Sequence, residues 1–488
     1  MGLERTDAVR LTLQANAAAL AKRLGSHSLS EVDSGTILVL PSLSFPVEEL
    51  RKIVGIQFYE ERMLFVILLL DRPNLHVVYV TSTKVDESVI DYYLSFLDDP
   101  AAARDRLHLV TLDDARPEAL ARKLLQRRDV LDELRELGSG PKFVFPFNVT
   151  NDEWRLGEEL DVLVYGPPPA LARLGSKTGA RIVAREAGVP LLPGGESLRS
   201  AAEIEASLKA LKRNGSESAV VKLNNGFSGQ GNAIVDLTVP FVPLDSSVSV
   251  FCASEESWPS FTRKIGEEGG IVEQLVRGPG TFSPSVQVRI AADQSFEIVS
   301  THDQILGGPD AQVYLGCLFP ASSEYRGEIQ EYGRRVAEVL ATKGVIGSFG
   351  IDFIVATEGA WEGIYMAEIN LRMGGTSHPF YMARFATRGH YDETTGHLLV
   401  DDEPRFYVAS DNFKDEAFIG IEPARLIDEI AARGFAFDRS SATGATLHLL
   451  GALPSFGKFG CVAIGKSREE AGAVYEEVRR AAQEIGPR

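Results

Sequence analysis

Between Gly35 and about Tyr165, short apolar runs alternate with segments of helical spacing. Thr36–Leu40, Leu64–Leu70, Val77–Val80, Leu107–Val110, Lys142–Phe145 and Val162–Tyr165 read as strands. Asp86–Leu97 and Pro117–Leu137 read as helices. That alternation predicts an α/β layer around a mostly parallel, Rossmann-like sheet. No glycine-rich dinucleotide fingerprint follows any of its strands. Ahead of it, residues 1 to about 34 read as a polar, helical segment.

Past Gly166 the pattern becomes more broken. Ser176–Ala187 has amphipathic helical spacing, is closed by Gly188, and carries Lys177 in its first turn. A cation gains nothing from the positive end of a helix, so the plain reading is a surface lysine. A helix over Ala201–Arg213 precedes a short strand, Ser218–Leu223, bearing Lys222. Directly after it comes N-N-G-F-S-G-Q-G-N, Asn224–Asn232. Its glycines permit backbone shapes whose N–H groups can ring an anion, although a mobile hairpin tip has the same composition. Gly270–Val276 predicts a strand with a polar step at Glu273 and Gln274. Ser285–Ala291 and Phe296–Ile305 form a strand pair carrying Gln287, Arg289, His302, Asp303 and Gln304, and a helix spans Glu328–Lys343. His302 reads more simply as a structural histidine than as a ligand.

Two alternating runs then flank a polar turn between Gly347 and Gly375, which is a hairpin signal. Phe349, Ile351 and Phe353 alternate with Gly350 and Asp352, and Ala367, Ile369 and Leu371 with Glu368, Asn370 and Arg372. Alternate strand residues share a face, so Glu368, Asn370 and Arg372 lie together, and antiparallel pairing can bring Asp352 beside them. Two carboxylates about 6 Å apart repel by roughly 3 kcal/mol at an effective dielectric near 20. A hard divalent cation would offset that, since Asp, Glu and the Asn carbonyl are oxygen donors. A solvated strand face is the alternative. Farther on, Thr387–Glu403 is polar, and Ala445–Leu450 and Cys461–Ile464 read as strands around the turn P-S-F-G-K-F-G. Ser467 and Glu470 form a capping box before a helix over Ala471–Ile485.

Composition narrows the function classes. The 488 residues suffice for several domains, and their 44% hydrophobic and 24% charged content is that of a globular protein. The net charge of −18 argues against general binding to nucleic acid or to anionic membranes, so any phosphate must be held locally. Cys252, Cys317 and Cys461 show neither zinc nor disulfide spacing, which fits a reducing, cytoplasmic setting. The start M-G-L-E-R-T-D has no apolar signal core, and Met63–Leu70 is too short to span a bilayer.

Taken in order, the lysine-bearing helix, the V-V-K strand, the glycine run, V-E-Q-L-V, and the D-F and E-I-N-L-R hairpin resemble the ATP-grasp ligases. The resemblance spans roughly Gly166–Met382, and Gly166–Gly194 is similar to the corresponding part of biotin carboxylase. More narrowly, L-V-L-P-S-L and F-N-V-T-N-D-E resemble segments of the pheganomycin-type peptide ligases. That resemblance implies a pre-ATP-grasp α/β domain over 1–165, an ATP-grasp domain of two α+β subdomains over 166–385, and a small C-terminal ligase module over 386–488. It implies that Lys177 and Lys222 contact ATP phosphates and that Gly226, Ser228, Gly229 and Gly231 belong to a loop closing over them. Glu273, with the backbone of Gln274 and Val276, would meet the adenine, and Gln304 joins the nucleotide set. Asp352, Glu368 and Asn370 would hold two Mg²⁺ ions, with Mn²⁺ able to substitute. Arg372 would face the γ-phosphate or acyl phosphate, and Arg372 with Arg289 would steady the substrate carboxylate and later the oxyanion. No ribose contact is assigned, because Arg277-Gly278-Pro279-Gly280 departs from the family pattern there.

The implied reaction is ATP-dependent amide formation through an acyl phosphate, releasing ADP and phosphate. Its substrates are a carboxylic or amino acid and an amine or peptide acceptor. Transfer to a carrier-protein thiol and a non-catalytic ATP-binding regulator are the alternatives, and a homodimer is left open. In the C-terminal turn, Lys458 with Phe456 or Phe459 offers a peptide-binding loop; an ordinary hairpin turn is the simpler reading.

Overall fold

The computed structural model describes residues 32–226, 231–239, 249–251, 256–307 and 313–485. Most of the helical segment expected over residues 1–34, and with it Cys252, Ser228 and Gly229, lies outside them.

Five parallel strands form the N-terminal layer: β1 (Ser34–Leu40), β2 (Asn74–Thr81), β3 (Leu107–Thr111), β4 (Lys142–Pro146) and β5 (Leu163–Val164), ordered β3-β2-β1-β4-β5. Both faces are buried, so the strands read as unbroken apolar runs. Leu38, Leu40, Val78 and Val80 face the helices Leu120–Leu124, Arg128–Glu136 and Asn151–Leu160. Ile37, Val39, Val77 and Tyr79 face the other way. The expected helix over Pro117–Leu137 is broken in two between Leu124 and Arg128.

Leu64–Leu70, expected as a strand, is part of a 3₁₀ helical segment, Ile56–Asp71. Met63–Leu70 are all buried, and a segment covered on every side has no amphipathic period to reveal its pitch. This segment covers one face of the parallel sheet and continues into a core shared with the C-terminal strands.

The second sheet is antiparallel: β6 (Gly194–Leu198), β7 (Ser218–Leu223), β8 (Asn232–Asp236), β9 (Ser249–Phe251) and β10 (Gly270–Gln274), ordered β6-β10-β7-β8-β9. One face packs on the helices Ala201–Arg213 and Trp258–Glu268.

The third sheet has eleven strands: β11 (Thr281–Phe282), β12 (Pro284–Ile290), β13 (Phe296–Gly307), β14 (Val313–Phe319), β15 (Gly347–Ala356), β16 (Gly363–Asn370), β17 (His390–Asp392), β18 (His397–Val400), β19 (Glu403–Lys414), β20 (Gly444–His448) and β21 (Lys458–Gly465). Val286, Val288, Phe349, Ile351 and Phe353 bury one face of it against the helices Lys177–Glu186 and Arg326–Thr342. The twelve-residue β19 has no counterpart in the sequence reading; it pairs with β14 and β21 and carries the sheet across residue 386.

The expected turn over Pro454–Gly460 lies in the hairpin connection between β20 and β21, which pair antiparallel up to His448 opposite Gly460. Leu453–Phe456 is a helical turn, and β21 already begins at Lys458. Proline at the first helical turn and Gly457 in the left-handed region (φ 57°) account for this shape. Phe459 is fully buried against Phe413, and Phe456 packs edge-on to Phe58, so neither phenylalanine is free to hold a peptide.

Candidate active site

Two neighbouring sheets wall a cavity of about 900 Å³. Val220 and Lys222 on β7, Asn232 and Ile234 on β8, and Glu273 on β10 line one side. Gln287 on β12, Gln304 on β13, Gly350, Asp352 and Ile354 on β15, and Glu368 and Asn370 on β16 line the other. Direct cross-strand pairing explains the first group, since Lys222 lies opposite Asn232 and Val220 opposite both Ile234 and Glu273.

The helix Lys177–Glu186 is anchored at its first turn. Ser176 caps it, accepting the Gly179 N–H at 3.0 Å. Asn224, the first residue of the glycine run, accepts the Lys177 N–H on its carbonyl at 3.1 Å and the Thr178 N–H on its side chain at 3.0 Å. One asparagine thus ties the strand bearing Lys222 to the helix bearing Lys177. Gly226 lines the cavity; Gly231, with φ 87°, closes the described part of the run but is not on the wall.

Asp352 and Glu368 lie directly opposite each other, as the alternation of the hairpin predicts. Asn370 donates to Asp352 at 2.9 Å and to Glu368 at 3.0 Å. Gln304 donates to the other oxygen of Asp352 at 2.8 Å, and the Lys177 ammonium contacts Glu368. Arg372 donates to the Asn370 side-chain oxygen (Oδ1) at 3.2 Å, and its guanidinium lies 5.5 Å from the Phe45 ring centre. Burial pushes the Asp352 carboxyl up to about 6, against Lys177 and Arg372. Burial, and then the Lys222 ammonium, push Lys177 down to about 7, and burial lowers Arg372 to about 10. Asp352, Lys177 and Arg372 are poorly solvated, so each is unusually sensitive to a charged ligand.

The oxygens fit a hard divalent cation. Two carboxylates and a carboxamide converge, and Asn370 reaches both acids. Which end of the amide faces the acids follows from the hydrogen-bond network, and the flipped amide would present its oxygen instead.

Glu273 lines the cavity. It is buried, with one oxygen paired to Lys222 and the other 3.3 Å from Arg181. Arg181 lies one helical turn after Lys177, an i,i+4 spacing that could have revealed it. The unengaged group here is Gln274: its amide nitrogen donates to the Leu275 carbonyl at 2.7 Å, while its oxygen is buried with no partner. Val276 lines the same end of the cavity.

Arg289 is not brought into the cluster. It stands on the same strand as Gln287 but beyond the cavity wall, 2.8 Å from Glu297 and 3.2 Å from the Tyr165 hydroxyl. His302 is fully buried against Tyr407, and burial lowers it to about 3, consistent with a structural role. Tyr59, Arg62, Thr376, Asp411 and Asn412 also line the cavity and were missed: Tyr59 and Arg62 lie ahead of Leu64–Leu70, in the unread first half of the helical segment Ile56–Asp71, and Asp411 and Asn412 on the unrecognised β19.

Among known proteins, the ATP-grasp domain family matches residues 208–376, and the PGM1 C-terminal domain family matches residues 425–478. The L-propargylglycine–L-glutamate ligase of Streptantibioticus cattleyicolor is 31% identical over 456 residues, covering 89% of this chain and 92% of that protein. An N5-carboxyaminoimidazole ribonucleotide synthetase in complex with ADP superposes with a TM-score of 0.53 at 12% identity, covering 93% of this chain and 98% of that one. The biotin carboxylase domain of Hydrogenobacter thermophilus 2-oxoglutarate carboxylase, solved with MgADP, gives 0.53 at 14% identity, covering 91% and 89%.

Proposed function

The chain belongs to the ATP-grasp ligases and is an ATP-dependent carboxylate–amine ligase, and from that premise we propose that it joins two small amino-acid-like substrates through an acyl phosphate. The observation that carries this reading is the oxygen cluster of Asp352, Glu368 and Asn370, set among Lys177, Lys222 and Arg372 in one cavity. The relative named for L-propargylglycine and L-glutamate supports free amino acids on both sides of the new bond.

In this reading Lys177 and Lys222 hold the phosphates of ATP. The partnerless oxygen of Gln274 accepts from the adenine amine. Asp352, Glu368 and Asn370 would hold Mg²⁺, two ions in the fullest form, with Mn²⁺ able to substitute, and the metal would supply neutralisation of the phosphate charge. Arg372 orients the substrate carboxylate, whose oxygen attacks the γ-phosphorus while the bond to ADP breaks. The amine then attacks the acyl carbon, phosphate leaves, and the amine nitrogen gives up its proton. Arg372 stays in place to stabilise the negative oxygen of that intermediate. No side-chain nucleophile is required.

The same reading includes a cytosolic location and division near residues 165 and 385. Among the described residues no helix is long and apolar enough to cross a membrane.

Incubation of the protein with ATP, Mg²⁺ and a panel of amino acids and dipeptides, followed by mass spectrometry, tests it. One ADP and one phosphate per amide bond are expected. Stoichiometric AMP and pyrophosphate would overturn the acyl-phosphate route.

A further inference from the structure

Beyond Arg372 the cavity wall is completed by Tyr59, Arg62, Asp411 and Asn412. None of these lies in the segment that resembles ATP-grasp. Arg62 and Tyr59 come from the helical segment Ile56–Asp71 of the N-terminal layer, and Asp411 and Asn412 from β19. Arg62 and Asp411 form a buried ion pair, their side chains 12% and 3% exposed. The Arg62 guanidinium carbon is 4.1 Å from the centre of the Tyr59 ring. Lys458 donates to the Tyr59 hydroxyl at 2.6 Å, so it fixes that ring from behind without itself lining the cavity.

The charges here do not balance. Asp411 faces Arg62, Lys458 and His448, while Arg62 also raises the positive field at Arg372. His448 is buried against His378, and burial lowers it to about 4, so it stays neutral. Two cations, Arg62 and Lys458, therefore face one carboxylate. A buried pair kept only for structure needs near-complete compensation, and here cationic charge is left over. One donor is also unspent, since Arg62 Nε is buried with no hydrogen-bond partner.

We propose that Arg62, stacked on Tyr59 and set by Asp411 and Lys458, is the subsite that binds the α-carboxylate of the amino acid whose amine attacks. The proposal rests on the ligase reading above and adds the identity of one substrate's handle. A carboxylate at Arg62 is the one not being phosphorylated, because the reacting carboxylate must reach the phosphate-facing side, at Arg372 and the oxygen cluster. Arginine's planar fork suits a carboxylate, and the ring beneath it limits how the fork can turn. The surplus of cations also favours an unprotonated amine next to it, which is the form that attacks. Tyr59 and Lys458 act as positioning residues.

Initial rates with the twenty L-amino acids and their α-amides as acceptors, at saturating ATP and Mg²⁺, test this in the full-length protein. The wild-type enzyme should prefer the best free acid over its amide by about 10- to 100-fold, as one charge-assisted contact implies. Arg62→Gln should erase that preference through the acceptor KM, with the KM for ATP within about two-fold. Because that variant leaves Asp411 buried and unpaired, Arg62→Gln with Asp411→Asn provides a neutral pair that should fold and show the same loss. An equal fall for acids and amides, an unchanged preference, or a wild-type enzyme indifferent to the amide would each overturn the assignment. If no acceptor is turned over at all, the ligase reading fails separately. Thermal shift with the same acids and amides then decides: stabilisation by free acids, lost in both variants, supports the subsite, and its absence overturns it.

Discussion

At Asp352 and Glu368 two like charges face each other across one pair of strands, and the neighbours that offset them are Lys177, Arg372 and the Asn370 amide. Glu368→Gln and Asp352→Asn each keep the shape of the site while removing one charge. Both are expected to lower kcat by about 10²- to 10³-fold, the cost of one preorganised electrostatic group, with an unchanged circular dichroism spectrum. Wild-type kcat in either variant at saturating Mg²⁺ would remove that residue from the metal site. This pair was legible in the sequence because strand alternation fixes which residues share a face. Other pairs around the cavity were not: Arg62 meets Asp411 across 349 positions, and Arg181 meets Glu273 across 92, although the helical spacing of Arg181 from Lys177 places it on the same helix face.

Elements differ in how much of themselves they disclose. The strand pair around Gln287 and Gln304, the β15–β16 hairpin and the helix bearing Lys177 were readable because each has one apolar and one polar face. Within Ile56–Asp71 the stretch Met63–Leu70 hid its pitch by being apolar throughout, and β19 hid behind Pro404 and its charges although most of its residues are covered in the fold. The Lys177 helix also depends on a contact that no periodicity shows. A Cβ at Gly179 would lie 2.0 Å from the Arg173 carbonyl oxygen and 2.9 Å from the Leu174 Cα, both main-chain atoms that cannot turn aside. Gly179→Ala should therefore cost about 1–3 kcal/mol and shift the helix start. A fall in melting temperature together with a raised KM for ATP is the expected result. A variant with unchanged melting temperature would show that the turn yields freely.

At the scale of the whole molecule, the two ends of the chain are built into one body. Met63–Leu70, Val77 and Tyr79 share a core with Leu447, Leu450, Leu453, Val462 and Ile464. Tyr92 accepts the Leu447 N–H at 2.9 Å, Tyr93 donates to the Leu447 carbonyl at 3.2 Å, and Glu61 accepts the Gly451 N–H at 3.0 Å. Arg388 and Arg439 both reach Asp98. The third sheet likewise runs through residue 386 without a break, so the C-terminal module expected from the sequence shares its sheet with the part before it. Composition and local pattern do not carry this closure, because it depends on pairs hundreds of residues apart.

That shared core has a consequence for synthesis. The apolar outer face of Met63–Leu70, the segment that covers the first sheet, leaves the ribosome long before the strands that cover it, since Leu447 follows Leu70 by roughly 380 residues. At about 5–20 residues per second, the face waits roughly 20 to 75 s for its cover. A nascent chain halted after residue 440 should expose Met63–Leu70 to a holdase chaperone and to protease, whereas release of the finished chain should protect the same stretch. Pulse proteolysis of arrested chains would reveal the difference, and equal protection in both would mean that the first layer finds another way to cover itself until the end of the chain arrives.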